Sequence, residues 1–184
     1  MPHIHTEPDQ YDITASGYII RLDGPEPVIV MHMHKILHQY LQFGGHVELH
    51  ESLWDAVIHE ISEESGYAMS QLKLLQPNIP PLRITDGILH PSPVSQVSIR
   101  FGDTNHFHTD IAYGFVTHEP PEGEVSEDES SEMRTFTAKE VASLPAGAIP
   151  ENVREVALYI FEECLGNWKE TDPATFQTGN PGKR

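Results

Sequence analysis

The stretch GGHVELHESLWDAVIHEISEESGY, residues 44–67, decides how the rest of the chain is read. Its period changes at Ser52. Leu53, Trp54, Val57, Ile58 and Ile61 fall on one side of a helix, and Gly66 stops it. Ser52 with Asp55 three positions on has the pattern of a capping box. At about 100° per residue, Glu60, Glu63 and Glu64 share one edge of that helix. Two like charges about 4 Å apart cost about 4 kcal/mol at an effective dielectric near 20. A divalent cation would compensate them. Carboxylate oxygens suit Mg²⁺ or Mn²⁺, and no thiolate stands near to favour a softer ion. The plain alternative is a solvated acidic helix face.

Outward from the helix the chain reads as strands and turns. Residues 11–22 and 27–35 mix β-branched and aromatic residues around the turn signal DGPEP, which predicts a hairpin. Residues 39–49 are strand-like but broken by Gly44-Gly45. Downstream, residues 68–75 predict a short helical turn. Residues 77–93 hold five prolines and read as loop. Segments 93–101 and 108–118 alternate as strands. The run 119–132 carries seven acids and no base, and it reads as a solvated, mobile loop. A short strand at 132–137 precedes a helix capped by a Thr, and 150–166 is an amphipathic helix with proline near its start. The segment after about 168 is polar and reads as frayed. Strands broken by a few helices predict a mixed sheet with helices on its faces, an α/β fold.

Composition sets limits. The 184 residues fit one domain and scarcely two. With 11 Lys+Arg against 28 Asp+Glu, the formal charge is −17. That balance argues against a nucleic acid polymer or an anionic membrane as partner, since like charge repels both. A single cysteine, Cys164, leaves no internal disulfide to form. No apolar run has the length of a membrane span, and the polar start lacks the order of a signal peptide. A cytoplasmic location is the expectation.

From Gly45, five residues lead to Glu51, seven more to His59-Glu60-Ile61, one to Glu63-Glu64, and one to Gly66-Tyr67. This resembles the Nudix box: Gly, five residues, Glu, seven residues, Arg-Glu-apolar, one residue, Glu-Glu, one residue, Gly-apolar. Every spacing is kept and every fixed residue but one, since His59 stands where the family has arginine. The likeness extends over about residues 11–166, with 45–67 its specific part. It implies an α/β/α sandwich with a mixed sheet, a domain over 11–167, a flexible arm at 1–10 and a polar tail at 168–184. It further implies a hydrolase that cleaves a pyrophosphate bond in a nucleotide or a nucleoside-diphosphate-linked small molecule with Mg²⁺ or Mn²⁺. Glu60 and Glu64 would be metal ligands, and Glu63 a further ligand or an activator of water. The Gly45 backbone could approach the metal, and Glu51 would support the motif. Glu60, Glu63 and His59 form the catalytic set. Oligomeric state is open, with a homodimer as one option.

His59 is the departure. Arginine fixes neighbouring glutamates through a planar fork of donors. Histidine is shorter, donates less and is mostly neutral at pH 7. The same resemblance therefore admits a catalytically weak or inactive ligand-binding or regulatory module. Outside the motif, His108 and Arg83 are candidates for substrate contact. Glu132 is a candidate acid near the metals, as is Glu129 in the acidic run. Three H-x-H pairs (His3/His5, His32/His34 and His106/His108) share a face if they lie in strands, a usable arrangement for a transition metal. No carboxylate-rich H-x-x-E-H motif or cysteine set accompanies them, so ordinary polar-face histidines are the simpler reading. Trp54 and Trp168 read as core and tail residues, and Cys164 as inert packing.

Overall fold

A computed structural model describes residues 7, 9–80, 82, 84–100, 105–126, 130, 132–176 and 178. Arg83 and Glu129, and the pair His3/His5, lie outside the described residues.

The frame is a parallel pair of long strands, β1 (Tyr11–Arg21) and β7 (Phe107–Thr117), in register from Tyr11↔Phe107 to Arg21↔Thr117. Each is longer than any of its antiparallel neighbours and takes two of them in succession. β2 (Val28–Met33) pairs with one end of β1, which is the expected hairpin, and β4 (Phe43–His46) pairs with the other. β5 (Lys73–Gln76) and β6 (Ser95–Arg100) divide β7 in the same way. The short β3 (Tyr40–Leu41) and β8 (Met133–Thr137) extend the sheet from β2, and β9 (Lys169–Thr171) extends it from β5.

Period-two alternation gives this sheet two apolar faces. Ala15, Ile19, Tyr113 and Phe115 face helix α1 (Leu53–Ser65), which contributes Trp54, Val57 and Ile61. Tyr18, Ile20, Ala112 and Val116 face the other way, against α2 (Ala138–Ser143) and α3 (Glu151–Tyr159). The result is the expected α/β/α layering. Trp54 is wholly buried, with its ring 5.5 Å from Tyr113 and 6.1 Å from Phe115. α3 ends in one π-helical turn, Ile160–Cys164, and Cys164 is buried there. Burial, with Glu163 nearby, pushes its thiol up to about 11, so it stays an inert thiol. Among the described residues no helix is long and apolar enough to cross a membrane.

Three sequence expectations are corrected. Residues 68–75 do hold a short 3₁₀ turn, Met69–Gln71, but the rest is strand β5. The segment after 168 is not frayed at its start. Its polar residues 169–171 satisfy their backbone groups on β5, and Phe176 packs 6.0 Å from Trp54. The acidic run is not free over 119–126. Gln71 donates to the Pro120 carbonyl and accepts from the Glu122 amide, and Tyr67 donates to the Glu119 carbonyl. The Gly123 and Ser126 amides donate to the carbonyls of Gly66 and Glu63. The acids face water while the backbone supplies donors to the open C-terminal end of α1.

Candidate active site

α1 starts and stops where its sequence dictates. Ser52 accepts from the Asp55 amide while Asp55 accepts from Ser52, a reciprocal cap. Gly66 ends the helix with φ of 70°, and a Cβ there would lie 2.7 Å from the Gly123 carbonyl oxygen. Between these stops the helix lays one edge along β4.

That edge carries Glu60 and Glu64, one turn apart and only 5% and 7% exposed. The Gly44 amide donates to Glu64 Oε2 over 2.8 Å. Glu60 lies so close to Gly45 that a Cβ on Gly45 would be 2.1 Å from Glu60 Oε1. Gly45 is thus what lets the Glu60 carboxylate reach the β4 backbone, while the missing Cβ of Gly44 makes room for Ala15 and Ser16 of β1. Glu63 turns outward, with 46% of its side chain exposed.

The placement is costly for a helix. The last turn contains acids and no base, so the carboxylates meet the negative end of the helix dipole, worth about 0.3–1 kcal/mol each. Buried carboxylate charge also loses its hydration. Oxygen donors grouped in this way beside the β4 backbone fit a hard divalent cation.

His59 lies at the outer margin. Its Nε2 is 3.0 Å from Glu63 Oε1, and its Nδ1 is 3.9 Å from Glu51 Oε2. The other Glu51 oxygen accepts from the Glu48 amide, which closes the turn before the helix. His59 therefore bridges Glu51 and Glu63, the acids on either side of it along the motif. Partial burial alone would lower its pKa, but the hydrogen bond and charge of Glu63, with Glu60 and Glu51, raise it above 6.5.

The remaining candidates lie apart from this cluster. Glu132, exposed just before β8, accepts from the Tyr40 hydroxyl. His108 is buried near the start of β7, on the sheet face that α1 does not cover. Two acids were not singled out from the sequence. Asp110 accepts from Thr14 and Ser16, and burial raises its pKa against the pull of those two hydroxyls. Asp12 is fully buried beside His46, His106 and His108. Both acquire their setting from the β1–β7 pairing, which leaves no local signal.

No protein-family model matches the chain, and no curated protein matches it in sequence. Solved structures do. A NUDIX-family hydrolase from Clostridium perfringens superposes with a TM-score of 0.64 at 24% identity, over 80% of this chain and 93% of that one. The fold is the Nudix fold. A NUDIX hydrolase from Nitrosomonas europaea gives 0.63 at 12% identity over 95% and 100% of the two chains. A C. elegans Ap4A hydrolase gives 0.57 at 14% over 80% and 94%. The Nudix fold thus extends over most of the chain, at identities that speak to architecture alone.

Proposed function

We propose that this chain is a divalent-metal-dependent hydrolase that cleaves a pyrophosphate bond in a nucleotide or a nucleoside-diphosphate-linked small molecule. The observation that carries the reading is the seating of Glu60 and Glu64 against Gly44-Gly45, on the helix whose sequence resembles the Nudix box. The likeness to a protein described as an Ap4A hydrolase supports a substrate of this class.

Glu60 and Glu64 would hold Mg²⁺ or Mn²⁺, with Glu63 and the Gly45 carbonyl as further ligands. When bound, such ions neutralise charge on phosphate oxygens and lower the pKa of a coordinated water. The other tasks fall to side chains. Gly45, having no Cβ, lets the Glu60 carboxylate seat against the β4 backbone. Glu63 is exposed enough to meet an incoming water, and where it does not ligate the ion it helps to activate that water. His59 holds Glu63 from one side and ties it to Glu51. The acidic strap at 119–126 repels polyanions and leaves small phosphorylated molecules as substrates.

A second reading is a binding or regulatory module without turnover, favoured by one observation. His59 is in place of arginine and makes a single short contact, to Glu63. The experiment is a screen of nucleoside di- and triphosphates, nucleotide sugars and dinucleotides with Mg²⁺ and Mn²⁺, with products identified by mass. Release of a phosphorylated product dependent on metal supports the hydrolase. Tight binding of one of these compounds without product supports the module.

A further inference from the structure

A second cluster of metal-ligating side chains lies on the sheet face opposite α1, and nothing in the proposed reaction uses it. Asp12 and His108 are register partners in the parallel β1–β7 pair. His46 ends β4 on the other flank of β1, and His106 immediately precedes β7. One ligand atom each from Asp12, His46 and His108 lies within 4.8 Å of the others, and all three residues are buried. His46 Nε2 is 3.5 Å and His106 Nε2 3.2 Å from the same oxygen, Asp12 Oδ2. The rings of His46 and His106 stand edge-on to His108, at 5.0 and 5.2 Å.

The spacing can be compared with a coordination sphere. Zinc bonds nitrogen and oxygen at about 2.0–2.2 Å with tetrahedral geometry, which sets neighbouring ligand atoms about 3.3 Å apart. The two Asp12–His separations already have that value. No separation within the Asp12, His46 and His108 set exceeds 4.8 Å, so each closes by at most about 1.5 Å through side-chain rotation. One carboxylate among three buried imidazoles can balance only one imidazolium, whereas neutral imidazoles are zinc's usual ligands. The β1–β7 pairing sets Asp12, distant in sequence, directly beside His108.

We propose that Asp12, His46 and His108, with His106 as a fourth ligand or as the partner orienting Asp12, form a zinc site distinct from the carboxylate site on α1. Its nitrogen-rich donors select a borderline transition ion, while the oxygen-only set on α1 selects Mg²⁺ or Mn²⁺. The ion would clamp β1, β4 and β7 together one residue beyond Gly45, and so position the strand against which Glu60 rests. The site does not depend on the hydrolase reading.

The test uses the full chain stripped with chelator and titrated with Zn²⁺ and, as a spectroscopic probe, Co²⁺. The expected result is one tightly held ion per chain with the d–d absorption of four-coordinate cobalt. It should also raise the melting temperature in proportion to log metal concentration. His46→Gln and His108→Gln should each weaken Zn²⁺ binding at least ~10-fold. Glu60→Gln and a His32→Gln/His34→Gln double variant should leave it unchanged. Paramagnetic broadening by Co²⁺ in the wild type, which needs no variant, should centre on the amides of residues 12, 46 and 108. Absence of the d–d bands, broadening centred elsewhere, or binding indifferent to His46→Gln and His108→Gln would overturn the proposal.

Discussion

Replacing Gly45 by alanine separates metal binding from stability. The new Cβ would lie 2.1 Å from Glu60 Oε1 and 2.7 Å from its Cδ. Ordinary contact begins at 3.4 Å, so the carboxylate oxygen must retreat by about 1.3 Å. The obstacle is the end of a flexible side chain and not backbone, so the fold yields cheaply, with an expected loss of about 1 kcal/mol. Coordination is less tolerant, since metal–ligand distances hold within about 0.2 Å. Mn²⁺ affinity should therefore fall at least ~10-fold, with turnover falling alongside it. The assay is calorimetric titration of Mn²⁺ into Gly45→Ala and wild type, paired with urea unfolding of both without metal. Wild-type Mn²⁺ affinity in a folded Gly45→Ala protein would refute the assignment of Glu60 as a ligand held by this contact.

Three further outcomes follow from the geometry. His59→Ala frees Glu63 and should lower turnover by about 10–100-fold, while His59→Arg should equal or exceed wild type above about pH 8. The raised His59 pKa keeps its pair with Glu63 intact below about 6.5 and lets it weaken as pH rises through the folded value, so a pH–rate profile of the three proteins reads the role directly. Burial, with His34 nearby, pushes His32 down to about 4. Below about pH 6.5 the unfolded chain therefore takes up a proton that the fold refuses, at a cost that grows to about 3 kcal/mol as pH falls toward 4. His32→Phe should remove this acid sensitivity in urea unfolding at neutral and low pH. Ending the chain at Trp168 removes β9 and the Phe176 contact with Trp54, and should cost about 2–4 kcal/mol in the same assay.

The helix and its carboxylates were legible in the sequence because their determinants are local. Ser52, Asp55 and Gly66 mark the ends within a few residues, and the apolar stripe supplies the face. The role of Gly44-Gly45 was half legible: a break in a strand pattern is visible, but the close approach of Glu60 requires the helix to fold back on β4. Strands β5 and β9 were not legible. Each is short, and each owes its extended form to the partner it pairs with. The acidic run misled because its side chains advertise solvation, while its backbone amides bond the end of α1. The neighbours of His108 were invisible for a related reason. Asp12 reaches it only through a parallel pairing between distant strands, for which no turn or spacing gives notice.

The central claim is a carboxylate-held metal that serves cleavage of a pyrophosphate bond. Its most direct measurement is the rate of phosphorylated-product release at saturating Mg²⁺ by wild type, Glu60→Gln and Glu64→Gln, in ¹⁸O-labelled water. Each substitution keeps the side chain's size and removes its charge. The account predicts product carrying one ¹⁸O from the wild type, and a rate at least ~100-fold lower from each variant. Undiminished release from both folded variants would contradict it, as would the wild type's failure to cleave any pyrophosphate-containing substrate.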